Sequence, residues 1–130
     1  MEPKDNPILN LIIEFSIAVI SFVEQLEEKR KFVIANQLLK SGTSIGANVH
    51  EAQNAESKAD FIHKLKIAHK EADETMYWLT ICEQASSYPT SELKEKLQII
   101  IKILSKIIAS TKNNLKNKTI IQSSEHCLIN

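Results

Sequence analysis

His50 and Glu51 stand side by side in a stretch with helical spacing, and the pair invites comparison with the zinc helix His-Glu-x-x-His. There, two imidazoles one turn apart hold the metal and the glutamate takes a proton from bound water. In this chain the second ligand position is Asn54, and one imidazole does not hold a catalytic zinc, so the metal reading fails on spacing. Gly42-x-x-x-Gly46 raises the possibility of a phosphate loop, but it lacks the GxxxxGK[ST] spacing and follows no strand. Asp60-x-x-His63 is the nearest approach to the Glu-x-x-His of di-iron bundles, with no second copy to complete the ligand set. Glu14, alone in an apolar segment, finds no acid, base or nucleophile at a meaningful spacing. The expectation is a protein that is not an enzyme and carries no metal or cofactor.

At 130 residues the chain fits one domain and one core. Two Gly and three Pro leave little material for turns, so few, long helices are expected. Formal charge is zero, which removes any global field drawing in nucleic acid or anionic membrane. The charge is uneven, however: residues 1–28 hold one Lys against six acids, net −5, and residues 92–130 hold seven Lys against three acids, net +4. These ends are suited to attract each other, within a chain or between subunits. Cys82 and Cys127 make no disulfide framework and fit a reducing compartment. With no basic leader before the first apolar segment, and Glu14 breaking that segment before it reaches the length of a membrane span, a cytoplasmic protein without membrane contact is expected.

Four helices account for the apolar periodicity, at about residues 7–26, 30–53, 58–87 and 91–116. Asn6-Pro7 starts the first, whose seam is Ile8, Ile12, Phe15, Val19, Phe22 and Leu26; Leu9, Ile13, Ile17 and Ile20 widen its apolar face beyond what one bundle core needs. The second holds one phase through Phe32, Ala35, Leu38, Gly42, Ile45, Val49 and Ala52, passing through both glycines. Each interior glycine costs about 0.5 to 1 kcal/mol relative to alanine, so Gly42 and Gly46 suggest close approach by a neighbouring helix. The competing reading of Lys40 to Ser44 is a turn. Ser57 with Asp60 caps the third helix, and Pro89 with Thr90 or Ser91 separates it from the fourth. In the fourth, Ile99, Ile101, Ile103 and Ile108 again widen the apolar face. Residues 119–130 show no period and are expected to fray, which makes 1–118 the folded unit.

Ser41, Ser44, Asn48 and Glu51 form a polar ladder beside the small-residue seam. If the second and third helices make an antiparallel hairpin about residue 56, facing positions sum to about 112, which sets Asn48 and Glu51 near Lys64 and Asp60, and Lys40 and Ser41 near Glu71. Asn48 is then expected to hydrogen-bond across helices. Tyr77 and Trp78, adjacent on a helix, point about 100° apart, so one faces the bundle and the other faces a subunit or a stacked base.

The set Ser41-Gly42-Thr43-Ser44-Ile45-Gly46-Ala47-Asn48, then Glu51-Ala52, Ser57, Asp60-Phe61, Lys64, Ile67-Ala68, Lys70-Glu71, Glu74-Thr75 and Tyr77-Trp78-Leu79, resembles the four-helix bundle family named for proteins encoded in intervening sequences of 23S ribosomal RNA genes. The resemblance implies an all-α, up-and-down antiparallel four-helix bundle that assembles as a ring-shaped homo-oligomer, typically a homopentamer, with no established enzymatic activity. Gly42, Ser44, Gly46, Asn48, Glu51, Lys64, Glu71, Glu74, Tyr77 and Trp78 carry its signature. The family is also similar to the accessory protein of diversity-generating retroelements, a basic pentamer that binds reverse transcriptase and nucleic acid; this chain differs in being neutral.

Two functions follow as expectations. The first is a homo-oligomeric adaptor or scaffold for a protein or nucleoprotein partner. The second is direct RNA or DNA binding through the basic fourth helix, with Lys94, Lys102, Lys106, Lys112 and Lys116 as the contacts, concentrated by ring symmetry.

Overall fold

The computed structural model describes residues 6–129, with side chains through 117 except that of Ser86. Its elements are α1 (Pro7–Glu28), α2 (Phe32–Ala52), α3 (Lys58–Ser86) and α4 (Ser91–Ile129), with no strand among the described residues. Each helix packs on the next and α4 returns to α1, while the diagonal pairs do not touch, which is the up-and-down bundle. Connections are short, so sequential helices are antiparallel neighbours.

Local chemistry sets the ends. Asn6 caps α1, its side chain accepting from the Leu9 amide at 3.4 Å, with Pro7 in the first turn. Ser57 caps α3 through the Asp60 amide at 3.0 Å, and Asp60 answers by accepting from the Glu56 amide at 3.3 Å, a capping box displaced by one residue. Two reversals use left-handed backbone without glycine, at Arg30 (φ 61°) and Ser87 (φ 55°). Ser87 closes α3 with amide bonds from Ser87 to the Glu83 carbonyl and from Tyr88 to the Cys82 carbonyl. Tyr88 then packs edge-on against Phe22 at 5.9 Å and takes the Lys29 ammonium over its ring at 5.1 Å, fastening the α3–α4 joint to the end of α1. Across the same joint Glu83 accepts from Thr90 at 2.7 Å and pairs with Lys94 at 3.0 Å, the hydroxyl first and the ammonium second holding its carboxyl below the usual range.

The core collects the inner seams: Phe15, Val19 and Leu26 of α1, Leu38 and Ile45 of α2, Leu65 and Leu79 of α3, Leu97, Ile100 and Leu104 of α4, all essentially inaccessible. Cys82 is a buried free thiol whose pKa burial pushes up, so it behaves as a small apolar side chain. Lys96 reaches Glu14 at 3.3 Å, one link between the basic last helix and the acidic first.

Two sequence expectations need correcting. α4 does not end near 116 but continues to Ile129, so 119–129 extends the helix; no Gly or Pro follows Ser91 to stop it. Residue 130 and residues 1–5 lie outside the described residues. And although Glu14 interrupts the apolar run, α1 averages a mean hydropathy of 1.8 over an 18-residue window, so by length and composition it is sufficient to cross a membrane. A third of that window is buried inside the bundle, against the other helices.

Candidate functional site

The stretch from Ser41 to Ala52 is unbroken helix, and its two stripes meet different neighbours. Gly42 and Gly46 face α1. A Cβ at Gly42 would stand 2.9 Å from Val19 Cγ1, and one at Gly46 would stand 2.7 Å from Ile12 Cγ2; both are methyls on rigid, β-branched carbons. The absent side chains let α1 approach to a distance alanine would forbid.

The polar ladder faces α3 only at its ends. Ser41 Oγ is buried 3.0 Å from Thr75 Oγ1, and Glu51 pairs with Lys64 at 3.0 Å, raising the Lys64 pKa chiefly through that hydrogen bond. Ser44 and Asn48 turn back on their own helix, Ser44 Oγ donating to the Lys40 carbonyl at 2.6 Å and Asn48 Nδ2 to the Ser44 carbonyl at 2.8 Å. The expected bond from Asn48 to the third helix is thus absent, because the carbonyl one turn back is a nearer acceptor. Facing positions sum to 115 for Glu51 with Lys64 and 116 for Ser41 with Thr75, not 112. Helical side chains lean toward their own N-terminus, so touching residues lie about one position C-terminal to the spot they cover on each helix, which accounts for about two of the added positions.

Glu71 is half-buried and its carbonyl accepts from Thr75 at 2.7 Å; Glu74 is exposed. Tyr77 is 57% exposed and stands edge-on to the half-buried Trp78 at 5.1 Å. Trp78 Nε1 is buried without a hydrogen-bond partner among the described residues. Together with Phe32 (50% exposed) and Val33 (80%), which border Trp78 at the start of α2, Tyr77 makes an apolar patch. A second patch is the outer face of α1, the stripe whose excess apolar width the sequence shows, where Ile13, Ile17 and Ile20 are 48%, 62% and 42% exposed. It continues into a groove of about 370 Å³ between α1 and α2, reaching Thr43, Gly46, Ala47 and His50.

Among the candidate lysines, Lys94 is spent on Glu83, while Lys102, Lys106, Lys112 and Lys116 are exposed and have no acidic partner among the described residues. Helical geometry gathers all five in an arc of about 120°, turned away from Leu97, Ile100 and Leu104. No cluster of three or more His, Cys, Asp or Glu able to hold a metal occurs among the described residues.

A small antiparallel four-helix bundle with glycines at one helix contact, buried polar pairing at another and apolar patches on its outside defines the class. The match to the family model of the 23S rRNA-intervening sequence protein over residues 4–110 places it further: the chain belongs to that family. It is also similar to a protein of unknown function from the S23 ribosomal protein family of Bacteroides thetaiotaomicron, known from a crystal structure, with 39% identity and a TM-score of 0.75 over 78% of this chain and 97% of that one. No curated protein matches. Neither the family nor that relative is assigned an enzymatic activity.

Proposed function

We propose that this chain is a self-assembling helical scaffold, a ring-shaped homo-oligomer with a pentamer as the favoured size, that offers its composite surface to a protein or nucleoprotein partner. The observation that carries the reading is the row of outward isoleucines at 13, 17 and 20 on α1. The bundle leaves these three large aliphatics 42% to 62% exposed, and burying one fully is worth about 1.5 to 3 kcal/mol. The other patch, at Phe32, Val33 and Tyr77, belongs to α2 and α3, the latter diagonal to α1 in the bundle. Two different patches on different sides favour a head-to-tail contact, which closes into a ring when the rotation allows. The pentameric size comes from the family resemblance.

Light scattering at micromolar concentration is expected to give several times 14.7 kDa, and Ile17→Glu to give a folded species near 14.7 kDa with unchanged helical circular dichroism. A wild-type monomer would overturn the reading.

A second reading, direct RNA or DNA binding, is favoured by the lysine arc on α4, of which Lys102, Lys106, Lys112 and Lys116 have no acidic partner among the described residues. Single-stranded RNA retained at 50 mM salt is expected to be released by 200 mM, and Lys106→Gln to lower the logarithmic salt slope by about 0.7 per bound subunit. Absence of retention at low salt removes it.

A further inference from the structure

Lys66 on α3 and Lys112 on α4 approach each other, with no acid between them among the described residues. Both line an open niche of about 350 Å³, shared with His69, Ser105, Ile108 and Ala109. Among the described residues neither lysine has a carboxylate at ion-pair distance, whereas Lys64, Lys94 and Lys96 each do. The Lys66 ammonium beside it pulls the Lys112 pKa below the ordinary lysine value. Two long, flexible side chains in water would ordinarily swing apart, and a charge-balanced chain has acids to spare for them.

The rest of the niche supplies hydrogen-bond donors. His69 Nε2 lies 3.1 Å from Ser105 Oγ, and His69 Nδ1 lies 3.4 Å from Asp73 Oδ2. With Nδ1–H donated to Asp73, Nε2 accepts from the serine hydroxyl. With the hydrogen on Nε2 instead, the ring donates to Ser105 Oγ, and the hydroxyl hydrogen turns to an oxyanion in the niche. Two ammonium groups and a hydroxyl, the latter held by the His69 ring, form a donor set from two helices around one space. Ile108 and Ala109 line the same space without competing for the anion.

We propose that this α3–α4 niche binds a phosphate monoester dianion. The same group is presented by a small phosphorylated molecule and by the 5′ end of a nucleic acid. The proposal is separate from the lysine-arc reading, which needs a run of phosphodiesters and no niche.

The test is a titration of the ¹⁵N-labelled protein with inorganic phosphate at constant ionic strength, against chloride. Saturable shifts confined to amides near 66, 69, 105 and 112 are expected, with Lys66→Met and Lys112→Met each weakening binding about tenfold. Phosphate should also raise the melting temperature of the wild type, and raise that of Lys112→Met less at the same concentration. Adenosine monophosphate shifting the same amides, with no preference for a 5′-phosphorylated over a 5′-hydroxyl oligonucleotide, would support the niche and assign it to small molecules; a preference for the phosphorylated end would support it and assign it to nucleic acid. Non-saturating shifts spread over the lysine-bearing surface, or a Lys112→Met variant that binds like the wild type, would overturn it.

Discussion

Gly42→Val is expected to lower the stability of the monomer fold by about 2 to 3 kcal/mol, read as a lower urea midpoint at unchanged slope. Helix propensity pulls the other way, since replacing an interior helical glycine recovers up to about 1 kcal/mol for alanine and less for a β-branched residue. Packing decides the sign. The Cβ alone would sit 2.9 Å from Val19 Cγ1, and valine adds two further carbons there. Val19 is fully buried and its methyls are fixed to the carbon that branches, so it has no loose end to move; the helices must separate instead. Separation would also draw Ile12 off Gly46, loosening the whole α1–α2 contact. A cycle with Val19→Ala tests the cause. Removing both Val19 methyls opens the space the new side chain needs, so the double variant should recover at least about 1 kcal/mol relative to the sum of the singles. Strict additivity would mean that the glycines serve something other than the approach of α1.

The bundle, its four helices and most of its core were legible because period and caps agree. Asn6-Pro7, Ser57 with Asp60, and Pro89-Thr90 each announce an end in residue types that satisfy free amides or forbid continuation, and the apolar seams between them hold one phase. Arg30 and Ser87 carry no such signal. They adopt a left-handed conformation that glycine would advertise and they do not, so the exact path of two connections was hidden. The site was legible in part. The ladder was visible as a stripe, but which rungs cross to α3 depends on the lean of side chains and on competition from the helix's own carbonyls, and Asn48 lost that competition. The niche at Lys66 and Lys112 depends on how α3 and α4 align across Ser87 to Thr90, a register that the short joint sets and no periodicity reveals.

Thr75→Val should cost about 1 to 2 kcal/mol, and Ser41→Ala less, with the double variant no worse than Thr75→Val alone. The asymmetry follows from where the hydrogens go. Thr75 Oγ1 has one hydrogen and two acceptors in reach, the Glu71 carbonyl at 2.7 Å and Ser41 Oγ at 3.0 Å; Ser41 Oγ has Thr75 and, at a long 3.4 Å, the Leu38 carbonyl. Take Ser41 away and Thr75 still donates to Glu71. Take Thr75 away and a buried serine hydroxyl is left with the poorer acceptor, in a place where Ser41 is fully inaccessible. Removing both leaves no stranded group, which is why the second substitution should be nearly free. The pair also discriminates between registers. A slip of α3 by one turn would set Ser41 opposite Glu71 or opposite the fully buried Leu79, confronting the hydroxyl with a carboxylate to be dehydrated or with hydrocarbon. Only the observed alignment gives Ser41 a hydroxyl partner inside the bundle, so the double variant, though nearly as stable as Thr75→Val, should populate a second α2–α3 alignment, seen as doubled amide signals along α3.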